Sequence, residues 1–288
     1  MKPAASKPRL KSTPPPSNPA RKSSATSRAS GFFLSDLQLL RGTPDDRRKW
    51  LDAAATQYDK RHLDYASEYH RIRQQKSRLL KDDPQNISLA HLDTWNAQLA
   101  QSGAKLMASR MQYLSLAEHP AMARYAELSG AQETLSVFYE SSVCHSRAGG
   151  NPLPGVSEIE TELLKQLAER QPEELRRATC LVGPHRDDVK FCLNGKDASA
   201  YGSQGQQRSI VLALKLTELE LLTTKLGEPP ILLLDDVMAE LDPDRQGYLL
   251  DHLSPDGQVF LTTTHLDSAL NVLLEGEHRI FEVTAGTV

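Results

Sequence analysis

Ile231-Leu232-Leu233-Leu234-Asp235-Asp236 decides the fold class of this chain. Four consecutive apolar residues fit a short strand covered on both faces. Two carboxylates then emerge at its carboxyl end, where open α/β sheets carry their ligand chemistry. The elements around it keep an alternating rhythm: a helix over about 206–225, the strand, a helix, a strand over 259–263, a helix, and a strand over 280–283. That order predicts a mostly parallel sheet covered by helices.

Upstream the pattern is different. Pro44 followed by Asp45 and Asp46 reads as a helix start, and a long stretch without breakers follows. Tyr65, Tyr69, Ile72 and Leu79 recur at helical spacing, and after Asp83-Pro84 so do Leu92, Trp95, Leu99 and Leu106. Two such stripes joined by a short turn predict an antiparallel helical arm. Leu135 to Tyr139 reads as a strand, 144–155 as a glycine- and proline-rich loop, and 157–168 as a helix. Residues 180–183 and 189–193 read as strands around a turn, the second closed by Asn194-Gly195.

Residues 1–31 hold seven basic residues and no acid, with many serines and Pro14-Pro15-Pro16. Such a segment buries too little apolar surface to fold and is expected to be a disordered tail, although a transit peptide, a DNA-binding arm or read-through of non-native sequence has the same composition. The expected organisation is therefore a tail (1–31), a helical arm lobe (32–132), a strand, loop and connecting helix (133–175), and an α/β unit (176–288).

Bulk composition excludes several classes. The 34 basic and 37 acidic residues leave a formal charge of -3, so any nucleic-acid contact must come from local patches. Arg47, Arg48, Arg71, Arg73, Lys76 and Arg78 give the arm one such basic side, although a solvated helical face has the same look. Cys144, Cys180 and Cys192 are odd in number and lack metal-ligand spacing, which fits inert thiols in a reducing, cytoplasmic setting. No apolar run is long enough to span a membrane.

Three further motifs stand in order with the carboxylate pair. Tyr201-Gly202-Ser203-Gln204-Gly205-Gln206-Gln207-Arg208 puts a serine between glycines at the start of an apolar helix. The glycines let backbone approach a ligand, and the helix start offers unpaired N–H groups to a phosphate. Ala239-Glu240-Leu241-Asp242 follows the carboxylates, and Thr264-His265 follows the next strand. In a nucleotide-hydrolysing site the first carboxylate holds Mg²⁺, the second orients or deprotonates water, and an imidazole can reach the terminal phosphate. Each motif alone also has an ordinary structural explanation, and either Thr264 or His265 suits the last position.

Together with Gly183-Pro184-His185-Arg186-Asp187-Asp188, and with the 32–52 segment carrying Asp36-Leu37, Gly42, Pro44, Arg47-Arg48 and Leu51-Asp52, these motifs resemble the RecF family of ABC/SMC-class ATPases over residues 32–288. The resemblance implies an incomplete ABC-ATPase head carrying a helical arm lobe. It implies a role in DNA replication, recombinational repair and the SOS response, with ATP and Mg²⁺ as cofactors. Single-stranded or gapped DNA, RecO, RecR and an ATP-dependent dimer with itself or full-length RecF would be its partners. By the same resemblance Asp235 is the magnesium ligand, and Asp236 and His265 are catalytic. Ser203, Gln204, Gly205 and Gln206 would meet the partner's γ-phosphate, with Asp242 as the D-loop acid.

One family element is missing. The chain contains no G-x-x-x-x-G-K-[ST] loop to grip phosphates, and Gly195-Lys196 reads as a hairpin turn. Three expectations follow: an amino-terminally truncated RecF, a non-catalytic module that supplies residues 203–206 to a full-length partner, or another kind of ABC subunit such as a transporter head. The helical arm and the 183–188 motif weigh against the last.

Overall fold

The computed structural model describes residues 29–33, 36, 39–82, 88–141, 143, 153–253, 256–264 and 279–283. Its elements run β1 (Ala29–Phe33), α1 (Pro44–Tyr58), α2 (Arg61–Asp82), α3 (Leu89–Leu128), β2 (Leu135–Glu140), α4 (Val156–Arg177), β3 (Asp188–Leu193), β4 (Lys196–Asp197), α5 (Ala198–Tyr201), α6 (Gln204–Leu226), β5 (Ile231–Asp235), α7 (Pro243–Asp251) and β6 (Val259–Thr262). Two small sheets result. β1, β5 and β6 form a parallel sheet with β5 in the centre, while β2, β3 and β4 are antiparallel.

Helix boundaries follow local chemistry. Thr43 and Asp46 form a reciprocal capping box at the start of α1, with Pro44 in the first turn. α6 starts on the same device, Ser203 with Gln206, and stops at Gly227, whose φ of +76° suits glycine. α3 is the spine: it packs against α2, α4, α6 and β2. Its buried residues, among them Leu99, Met107 and Tyr125, join the sheet residues Leu232 and Leu234 in one continuous core.

Where the structure departs from the sequence pattern, backbone hydrogen bonding explains it. Ala29 to Gly31 belong to β1, inside the stretch assigned to the tail, because pairing with Ile231 to Leu233 satisfies their backbone. Cys180 to Gly183 is not a strand. The Cys180 carbonyl accepts from His185 Nε2 (3.1 Å) and Arg186 Nη2 (2.9 Å), and the Leu181 amide donates to Glu174 Oε1 (2.7 Å), so this backbone is spent on side chains. Residues 280–283 are likewise not a strand but irregular and exposed. α4 runs past Ala168 to Arg177, anchored near its end by Glu174, which forms a fully buried ion pair with Lys76 of α2 at 2.5 Å. The basic side of the arm is correspondingly thinner than the sequence suggests. Lys76 lies in that pair, and Arg47 is buried against Asp188.

Residues 183–188 are the knot that ties α1, α2, α3 and β2 together. Gly183 has φ +128°, and an added Cβ would lie 2.4 Å from the Tyr69 hydroxyl. Arg110 of α3 donates to the Pro184 carbonyl at 2.7 Å and to the Tyr139 hydroxyl at 3.1 Å, and it pairs with Asp52 of α1. Tyr139 in turn donates to Asp187 Oδ2 at 2.6 Å. Arg48 caps the Asp187 carbonyl at 2.6 Å, and Arg47 grips Asp188 with two bonds of 2.8 and 2.7 Å. Burial alone would raise the Asp52 carboxyl, but the bonds from His62 and Arg110 outweigh it and hold it at about 2.

His185 sits inside this knot as a neutral ring. Its Nε2–H donates to the Cys180 carbonyl, so Nδ1 is the acceptor for the Tyr69 hydroxyl at 2.5 Å. Burial above all, and then the charges of Arg73, Arg186 and Arg48, pull its pKa from 6.5 down to about 3, against the opposing pull of the Cys180 carbonyl. An unfolded chain protonates His185 at higher pH than the folded one does. The stability it confers is therefore complete above the unfolded value and lost as pH falls from 6.5 toward 3. We expect acid to lower the thermal midpoint across that window, with a full contribution on the order of 3–5 kcal/mol. His185→Gln should flatten this part of the profile when melting is followed by circular dichroism.

Candidate functional site

The two carboxylates leave the sheet differently. In β5, Leu232 and Leu234 are buried, and Asp235 ends the strand opposite Phe33 on one side and Thr262 on the other. Asp235 is exposed, and its Oδ1 accepts from the Thr262 hydroxyl at 2.6 Å. Asp236 turns the chain over with φ +54°. Its amide is held by the Thr262 carbonyl (3.2 Å) and hydroxyl (3.1 Å). Its Oδ1 is buried with no hydrogen-bond partner among the described residues. A non-glycine residue in the left-handed region with an orphaned buried oxygen is the kind of strain that functional positions carry. Neither feature is readable from the sequence, because φ and burial depend on Thr262 of the neighbouring strand.

Past Asp236 the chain makes a short 3-10 turn, Met238–Glu240, and Asp242 caps α7 through the Arg245 amide at 3.0 Å. Burial is the largest single influence and would raise the Asp242 carboxyl, but the amide and guanidinium of Arg245 together outweigh it and lower it.

Residues 203–206 form the first turn of α6. Ser203 Oγ accepts from the Gln206 amide at 3.2 Å, and Gln206 Oε1 accepts from the Ser203 amide at 2.6 Å. The first-turn amides of Gln204 and Gly205 lie where a helix offers no internal acceptor, so they remain available to an anion. Ser203 and Gln204 are exposed. Behind them the turn is held fast. Gln206 Nε2 donates to Glu133, which also accepts from the Tyr125 hydroxyl at 2.6 Å, and Gln207 donates to the carbonyls of Ala198 (3.0 Å) and Gly202 (3.1 Å).

Arg245 joins these two pieces, and nothing in the motif pattern singles it out. Its Nε donates to Ser209 Oγ at 2.9 Å, its Nη2 to the Gly205 carbonyl at 3.0 Å, and its Nη1 to Asp242. A Cβ on Gly205 would lie 3.3 Å from Nη2, so glycine at this position gives the guanidinium its room. Arg208 adds a second tie to Glu240 at 2.5 Å. The contacts thus form two groups: Asp235 and Asp236 around Thr262, and residues 203–206 with Asp242 around Arg245. Thr264 follows β6, and His265 lies outside the described residues.

A parallel sheet ending in paired acids, a glycine-flanked serine at a helix start and an acid-capped helix tied to it define part of an ABC-type ATPase head with a helical lobe. No family model matches the chain. The DNA replication and repair protein RecF of Synechococcus sp. (strain JA-2-3B'a(2-13)) is 42% identical over 243 residues, covering 82% of this chain and 62% of that protein. RecF of Rippkaea orientalis is 39% identical over 268 residues, covering 89% and 69%, and RecF of Synechocystis sp. is 41% identical over 264 residues, covering 88% and 67%. The chain therefore belongs to the RecF family, and it spans about two thirds of the length of these relatives. Solved structures of the recombination mediator protein RecF with ATPrS and with ATP, in the RecFOR pathway, superpose with TM-scores of 0.74 and 0.72 at 31% identity. They match 85% and 83% of this chain, and 64% and 63% of their own.

The backbone strain at Asp236 has a simple consequence. Asp236→Gly should raise stability by about 1 kcal/mol, since glycine adopts φ +54° freely and removes the orphaned carboxylate oxygen. Denaturant unfolding checks it; a loss of stability would show the carboxylate to be structurally required.

Proposed function

We propose that this chain acts in DNA replication, recombinational repair and the SOS response as a RecF-type protein, contributing one wall of an ATP site that is completed by a partner. The observation that carries this is the Arg245 tie, which presents residues 203–206 and Asp242 as one surface. A surface of that kind, with available first-turn amides and exposed Ser203 and Gln204, fits a γ-phosphate held on another subunit. Asp235 is exposed with one oxygen engaged by Thr262, so it has capacity for Mg²⁺, whose other ligands would be phosphate and water. Among the described residues no group of three or more His, Cys, Asp or Glu gathers there, which suits a magnesium ion shared with phosphate better than an all-protein cage. The orphaned Asp236 oxygen suits a residue that accepts a hydrogen bond from the attacking water. When bound, Mg²⁺ would offset phosphate charge and align the oxygens for in-line attack. Thr264 or His265 would take the switch position, by the order of the motifs along the sequence.

The phosphate-gripping loop, absent from these 288 residues, would come from a full-length RecF in an ATP-dependent dimer. RecO, RecR and gapped or single-stranded DNA complete the set of partners. The first test is co-purification of the tagged chain with intact RecF. Association is expected with ATP and not without it, and Ser203→Arg should abolish it. No association under any nucleotide condition would sink the proposal. The second test is phosphate release by the chain alone, which should stay at background and be unaltered in Asp235→Ala. Robust turnover lost in that variant would contradict the division of the site between two subunits.

A further inference from the structure

Arg186 has no part in the ATP surface, yet the knot around it holds it in a definite place. Tyr69, Arg73 and Ser77 follow one another at four-residue spacing on α2 and so share one face of that helix. Tyr69 reaches His185 at 2.5 Å, and Ser77 Oγ lies 3.4 Å from Cys180 Sγ. Arg73, between them, lies on the same face and is half-buried, and its charge acts on both Cys180 and His185. From the turn itself Arg186 is exposed, and one of its N–H groups is engaged by the Cys180 carbonyl at 2.9 Å.

The carboxylates near this turn are occupied elsewhere. Asp188 is held by Arg47 and Lys190, Asp45 by Arg48 and Lys49, and Asp52 by Arg110 and His62. Asp187 is buried and accepts from Tyr139. Among the described residues, neither Arg73 nor Arg186 makes an ion pair with a carboxylate. Both add to the positive field that keeps His185 neutral. Two guanidinium groups thus lie beside one turn, and among the described residues neither is ion-paired with a carboxylate.

We propose that Arg73 and Arg186 form a clamp for the phosphate backbone of a DNA strand. The inference rests on the DNA role proposed above and gives it a location. Guanidinium forks match phosphate oxygens, and a pair of them reads backbone rather than base sequence. The surrounding knot supplies the preorganisation: α1, α2, α3 and β2 hold the turn, so little order has to be gained on binding.

The experiment is fluorescence anisotropy of the full 288-residue chain on a labelled gapped duplex, repeated between about 50 and 200 mM salt. Arg73→Ala/Arg186→Ala should weaken binding and reduce the slope of log affinity against log salt by roughly 1–2. Lys165→Ala/Lys196→Ala removes the same charge from α4 and β4 and should keep the wild-type slope. Because Arg186→Ala also removes one of the two donors to the Cys180 carbonyl, Arg73→Glu alone serves as a second variant. It should cost about tenfold or more in affinity with an unaltered thermal midpoint. An unchanged slope in the arginine pair, or an equal fall in the lysine pair, overturns the clamp while leaving DNA binding intact. No binding by the wild-type chain overturns the DNA role itself. Binding of poly-glutamate that depends on both arginines, without dependent DNA binding, would also overturn it by reassigning the clamp to an acidic protein.

Discussion

Buried charge has to be matched inside the protein, and residues 183–188 show how far this constraint organises the chain. Polar groups of that turn are met from several elements: by Arg47 and Arg48 from α1, Tyr69 from α2, Arg110 from α3 and Tyr139 from β2. Removing any one partner would strand a desolvated charge or hydroxyl, which costs far more than the same bond contributes in water. The helical lobe and the antiparallel sheet are consequently locked together by a network, where apolar contact alone would permit sliding. Gly183 is the residue that makes the turn possible, because the Tyr69 hydroxyl occupies the space of its missing side chain.

The proposed ATP surface depends on this frame at one remove. α6 runs from the exposed first turn into the core, where Ile210, Val211 and Leu214 are buried with α3. Glu133, just before β2, accepts from both Gln206 and Tyr125, so the helical spine reaches the first turn of α6 directly. Arg245 and Arg208 reach it from the other side. A shift of α3 relative to α7 would therefore be felt where residues 203–206 meet solvent. A few bonds thus link the helical lobe to the proposed nucleotide surface.

The parallel unit was legible because its signals are local. A doubly covered strand reads as an apolar run, and α6 shows its serine cap and glycine stop within its own sequence. The strand expected over 180–183 failed for a reason outside that window, since Glu174, His185 and Arg186 take the hydrogen bonds a ladder would need. β1 was missed in part because Ala29, Ser30 and Gly31 have weak strand preference and become a strand only through pairing with β5. Half of the basic side of the arm vanished into ion pairs for the same reason. Charge in a sequence gives no hint of which acid will lie opposite it.

The sequence by itself determined the alternation of helix and strand from residue 204 to residue 262, the position of the acids at a strand end, and the glycine-flanked serine at the start of α6. These are properties of neighbours a few residues apart, so periodicity and capping preference suffice to read them. Only the tertiary structure decided that Asp236 takes a left-handed φ beside Thr262 and that Gly205 lies against the Arg245 guanidinium. Each of those depends on residues at least 26 positions apart brought within bonding distance, and no local pattern encodes such a distance.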